Sequence, residues 1–117
     1  MANTQPMPTA PMILQNAQTT GNGGVLMLNG NVEQLNIFLF SSGTTSGGAV
    51  SIEEAYWDPN QPMYAGTWSV IAAVNASTFT GGASVMLHYP GGFWAVRVRI
   101  SSNITGGGSI SAVGWGS

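Results

Sequence analysis

The sequence has no cysteine, no lysine and one histidine, and its formal charge rests on Glu33, Glu53, Glu54, Asp58, Arg97 and Arg99. Charged residues make up 5% of the chain, against about 25% in an ordinary soluble domain. Each absence excludes something. Without cysteine there is no disulfide and no thiolate metal site. Two arginines do not neutralise a run of phosphates, so nucleic acid is not an expected partner. A single histidine and four carboxylates leave little from which to assemble acid–base or nucleophilic chemistry, so no enzyme activity and no cofactor are expected. No stretch of about 20 apolar residues occurs, so no membrane partner is expected. The longest apolar runs are Ile37-Phe38-Leu39-Phe40 and Val70-Ile71-Ala72-Ala73-Val74. The start, Met1-Ala2-Asn3-Thr4-Gln5-Pro6, lacks the basic residues and apolar stretch of a secretory signal.

What remains is uncharged but not poor in apolar groups. Hydrophobic residues make up 44% of the chain, with four Trp, four Phe and three Tyr. Disorder needs low hydrophobicity and high charge, so a packed core is expected instead. The 117 residues suit one domain. Its surface must be made of Ser, Thr, Asn, Gln and Gly, with little charge repulsion between molecules. Such a surface favours association, and the chain is expected to work docked in an assembly.

Along the chain, residues 1–12 read as an extended N-terminal arm and 13–117 as the folded domain. Pro6, Pro8 and Pro11 fix φ and remove backbone donors. Twelve extended residues reach roughly 40 Å, well beyond a body with a radius of gyration of about 13 Å. The arm can therefore reach a neighbouring chain, or else fold back on its own domain. Beyond it, short runs rich in Val, Ile, Thr, Phe and Trp alternate with Gly, Asn and Ser clusters, which is β-structure. Strands are expected over 12–18, 24–29, 33–40, 49–57, 67–74, 77–80, 84–89, 93–101 and 109–115. Trp94, Val96, Val98 and Ile100 fall on one face of a strand, with Ala95, Arg97 and Arg99 on the other. Leu35, Ile37 and Leu39 share a face, yet Phe38 and Phe40 make the opposite face apolar too, so that strand is expected to be covered on both sides. Eight or nine short strands in about 105 residues indicate an all-β, two-sheet antiparallel sandwich of jelly-roll type. An immunoglobulin-like sandwich is the alternative, although its cysteine pair is missing.

Residues that could carry chemistry have plainer readings. His88 sits on the polar side of an alternating strand, with no second histidine to complete a zinc site. Glu53 and Glu54 are adjacent in a strand and point to opposite faces, so they do not form an acid pair across a cleft. The segment around Glu53, Glu54 and Asp58 lacks the loop spacing of a calcium site. No Gly-x-Ser-x-Gly elbow and no phosphate-binding glycine loop occurs. Arg97 and Arg99, two apart on one strand face, are expected to pair with Glu53 or Glu54 on a neighbouring strand. Tyr56, Trp57 and Tyr64 stand near turn signals, where aromatics stack on sugars or anchor interfaces.

A resemblance adds to this. The chain carries Val50-Ser51-Ile52-Glu53, then Thr67-Trp68, and later Phe93-Trp94-Ala95-Val96-Arg97-Val98-Arg99-Ile100-Ser101-Ser102. The run Thr105-Gly106-Gly107-Gly108-Ser109 follows. Over about residues 48–117 this resembles small β-sandwich modules in virion proteins of tailed bacteriophages. It departs from them after Glu53, where Glu54-Ala55-Tyr56-Trp57-Asp58-Pro59 replaces a Gly-Ser-x-Asp-Gly turn. The resemblance implies a capsid decoration (cement) protein on the outer surface of the capsid. Its expected partners are the major capsid protein and further copies of itself, trimers before dimers. The expected interface residues are Pro6, Pro8, Pro11, Met12, Tyr56, Trp57 and Tyr64. The second reading is a receptor- or carbohydrate-binding module of a tail or fibre.

Overall fold

The computed structural model describes residues 8–56 and 67–117. Eight strands follow in chain order: β1 Met12–Gln18, β2 Leu26–Met27, β3 Gln34–Ser42, β4 Gly47–Ala55, β5 Ser69–Asn75, β6 Ser84–Pro90, β7 Ala95–Thr105 and β8 Ser109–Gly116. They form two four-stranded antiparallel sheets. The first sheet runs β1-β8-β3-β6 and the second β2-β7-β4-β5. Only β4 and β5 are both consecutive and paired; the other connections cross between the sheets. This interleaved order is the jelly roll, and it excludes the immunoglobulin arrangement.

Alternation along the strands builds the core. Leu35, Ile37 and Leu39 of β3, Val50 and Ile52 of β4, Val96 and Val98 of β7, and Ile110 and Ala112 of β8 all point between the sheets and are buried. One side of each strand therefore faces its counterpart across the sandwich. β8 closes most tightly, and its inward positions include two glycines. A Cβ at Gly114 would lie 2.8 Å from Leu14 Cδ1 and 3.1 Å from Ile37 Cδ1, so a larger residue there would push the sheets apart.

One expected strand is absent. Of residues 77–80, the first three belong to a short 3-10 helix, Ala76–Phe79, and Thr80 caps its end. Ala76 and Phe79 lie three apart and are both fully buried, which matches the period of that helix rather than the two-residue period of a strand. The turn is tied to the loop after β3. Thr45 Oγ1 donates to the Ala76 carbonyl at 2.8 Å, and Ser41 Oγ donates to the Phe79 carbonyl. Phe79 thus plugs one end of the sandwich. The expected strand over 24–29 pairs with β7 only at Leu26 and Met27. Beyond that pair, Gly21 takes over beside β7, accepting from Ile100 N at 2.9 Å. Gln15, buried in β1, reaches across to donate from Nε2 to the Val98 carbonyl at 2.8 Å. A side chain of one sheet thereby completes the backbone pairing of the other.

Candidate docking surfaces

The outer faces of the two sheets differ in chemistry. On the second sheet, Glu53 of β4 stands directly opposite Arg97 of β7, and Ser51 opposite Arg99. Glu53 is 3% exposed and both carboxylate oxygens are engaged. Oε1 accepts from Arg97 Nε at 2.8 Å and lies 2.8 Å from its Nη2. Oε2 accepts from Arg99 Nε at 3.0 Å and from Ser51 Oγ at 2.7 Å. The Arg97 guanidinium lies 4.3 Å from the centre of the Trp68 ring, a cation–π contact. Burial alone would raise the Glu53 pKa, but the Ser51 hydroxyl and the two guanidinium groups outweigh it and hold the carboxyl below its ordinary range.

A carboxylate closed by four donors has no lone pair to offer a substrate or a metal. Both arginines bond Glu53, Arg97 largely covered and Arg99 through Nε with its side chain still 38% exposed. Glu54 lies opposite Val96 instead, so the two adjacent glutamates diverge as the strand alternation requires. Among the described residues, no group of three His, Cys, Asp or Glu stands close enough to hold a metal ion.

None of the four strands of the first sheet contains Asp, Glu, Lys or Arg. Its outer face carries an apolar row that crosses all four strands in register. Ile13 of β1 pairs with Val113 of β8, Val113 with Phe38 of β3, and Phe38 with Met86 of β6. Ile13 is 61% exposed and Met86 43% exposed, while Phe38 and Val113 between them are half-buried. Phe40 packs beside Phe38 with ring centres 5.2 Å apart. The next row holds Trp115, Asn36 and His88, again in register. Asn36 is buried and its Oδ1 lies 2.6 Å from His88 Nδ1 and accepts from Gln34 Nε2 at 2.6 Å. His88 is thus bound into a polar cluster with Asn36 and Gln34 at the border of the apolar row. Beside β1 lies an open groove of about 300 Å³, bordered by Ile13, Gln18 and Gly23 and lined by no titratable side chain.

Of the residues expected from the sequence to form an interface, the described ones are Pro8, Pro11, Met12 and Tyr56. Pro6, Trp57 and Tyr64 lie outside the described residues. Pro8 and Pro11 are exposed and flank Thr9, whose N–H donates to the Gly116 carbonyl at 2.9 Å and whose Oγ1 accepts from Gly116 N at 2.8 Å. The arm from Thr9 onward therefore runs along β8 of its own domain, and Met12 already opens β1 opposite Gly114. Tyr56, 71% exposed, follows β4 of the other sheet. Sequence reasoning singled out Phe38 and Phe40 but not Ile13, Val113 or Met86. Those three join the phenylalanines only through the strand order.

Solved structures share this fold. The crystal structure of the SPBc2 prophage-derived protein YomS matches with a TM-score of 0.58 and 13% identity, covering 94% of this chain and 94% of that one. The crystal structure of the PBSX exported protein XepA matches with a TM-score of 0.61 and 16% identity, covering 99% of this chain. The present chain spans 43% of XepA. Both neighbours are phage-derived proteins. At these identities the likeness is one of fold. No protein-family model and no curated protein matches the chain.

Proposed function

We propose that this chain is a non-enzymatic structural protein of a phage particle, acting as a capsid decoration protein on the outer surface of the head. The observation that carries the reading is how little charge the described surface holds: beyond the Glu53–Arg97–Arg99 cluster it carries Glu33 and Glu54. One sheet has no charged residue in its strands, and on the other Glu53 closes both arginines. A surface of that kind gains by burial of apolar area, at about 25 cal/mol per Å², and has little charge to desolvate when it docks. The phage origin of both structural neighbours agrees with it. The partner is the major capsid protein, bridged at the joints between its subunits, with residues 1–8, ahead of the Thr9 contact with β8, as a strap.

The test is gold-labelled antibody against the chain on purified virions, followed by binding of chain lacking residues 1–11 to undecorated shells. Label over the heads and weaker binding by the truncated chain are expected. Label confined to tails, or absence of the protein from purified virions, refutes the reading.

The exposed Tyr56 ring at the end of β4 favours one second reading, a tail or fibre module that binds a carbohydrate receptor through Tyr56, Trp57 and Tyr64. That reading predicts glycan binding by the isolated chain, lost in Trp57→Ala.

A further inference from the structure

We infer that the outer face of the β1-β8-β3-β6 sheet is a self-association surface, whose occupant is the same face of a second copy of this chain. Around a two-fold axis a patch meets itself, so any charge near the axis meets its own like charge. This face has no formal charge in any of its four strands. It is therefore self-compatible without a complementary partner surface. The opposite sheet, with Arg97, Arg99 and Glu53 on its outer face, would bring two arginine pairs together.

The apolar row supplies the attraction. Ile13, Val113, Phe38 and Met86 cross the full width of the sheet in register, and the most exposed of them, Ile13 and Met86, stand on its two edge strands. Each copy therefore offers apolar side chains over all four strands. A sheet face packed on another sheet face has room for one partner, so this contact is two-fold, unlike the trimer that the sequence suggests.

Size sets the strength. Four strands about 4.8 Å apart and seven residues rising about 3.3 Å each give a footprint of roughly 450 Å² per copy. Two such faces bury roughly 900 Å², below the ~1,200 Å² at which stable complexes begin. The dimer is accordingly weak, with a Kd on the order of 0.1 mM. It fills wherever copies are held near one another, because tethering gives effective concentrations in the millimolar range. The inference does not depend on which part of a particle carries the protein.

The experiment is sedimentation velocity on the full chain from about 10 µM to 1 mM, a range that brackets the expected constant. The sedimentation coefficient is expected to rise toward that of a dimer. Ile13→Asp combined with Met86→Asp changes two exposed side chains and should weaken association at least tenfold. Val70→Asp, equally exposed but on β5 of the other sheet, should leave it unchanged. A chain that stays monomeric to 1 mM overturns the inference. So does an association that survives the double aspartate variant or is abolished by Val70→Asp. Concentration-dependent amide shifts in the wild-type chain provide a readout free of any variant. They should cluster at residues 13, 38, 86 and 113, and a cluster around 70 and 97 instead overturns the proposal.

Discussion

Replacing Glu53 by Gln keeps the shape of the side chain and removes its charge. In the wild type the carboxylate lies between Arg97 and Arg99, each within 3.0 Å, and Ser51 Oγ adds a third donor. In Glu53→Gln the two guanidinium groups would face one another across a neutral amide. Breaking a buried ion pair by removing one partner costs about 3–5 kcal/mol. The arginine side chains are 17% and 38% exposed, so solvent screens part of that repulsion, and a loss of about 2–3 kcal/mol is expected. For a domain of this size that corresponds to a fall in Tm of about 10 °C. The pH dependence identifies the cause. The folded-state pKa of Glu53 is lowered, so its contribution to stability is complete above the ordinary value of 4.5 and is lost as pH falls through the folded-state pKa. The glutamine variant has no such contribution to lose. Thermal unfolding followed by tryptophan fluorescence should therefore show a wide gap between the two proteins at pH 7. The gap should narrow below pH 4.5 and vanish once Glu53 is protonated in the folded state. A variant within about 0.5 kcal/mol of wild type at pH 7 would refute the reasoning, since that is the range of an ordinary surface substitution. So would a gap that acid leaves unchanged.

Three further substitutions probe the frame. Phe79→Ala should empty the end of the sandwich and cost about 3–5 kcal/mol, read by chemical denaturation. Gly48 has φ +101°, and a Cβ there would lie 2.8 Å from both Ile104 Cα and the Ser102 carbonyl oxygen; Gly48→Ala should lower stability by more than about 2 kcal/mol, since strain and clash act together. Gln15→Leu keeps an apolar body of similar size but takes the donor from the buried Val98 carbonyl. It should cost about 1–3 kcal/mol and speed hydrogen exchange in β7 near residue 98.

Much of this was legible in the chain itself, for identifiable reasons. The stretch 12–18 reads as a strand and is β1, because its flanking turns are clear and its length suits a strand. The Glu53–arginine pairing was legible because few charges exist and a two-residue period fixes their side of the sheet. Residues 77–80 misled because four residues cannot separate a period of two from a period of three; the burial of both Ala76 and Phe79 separates them. The apolar outer face was legible only at Phe38 and Phe40, where an all-apolar run gives the strand two apolar faces; the expected cover over the outer one is not supplied by the described residues, which leave both rings half-buried. Ile13, Met86 and Val113 stand in three different strands, 73 and 27 residues apart along the chain. Their alignment follows from register, and register depends on pairings that no local pattern states.

The strand order also constrains how the chain is made. β8 sits between β1 and β3, and β7 between β2 and β4. Until β7 and β8 leave the ribosome, β1 has no neighbour to pair with, and neither has β2. Only the β3–β6 and β4–β5 pairs are available to a chain that ends at residue 90. At about 5–20 residues per second the stretch from β7 to β8 takes only seconds to add, yet it supplies the strand at the centre of each half-built sheet. The nascent segment therefore stays largely unpaired until β7 and β8 have emerged, with its uncharged apolar strands exposed. Its yield in a cell should depend on chaperones and expression temperature more strongly than its final stability would suggest.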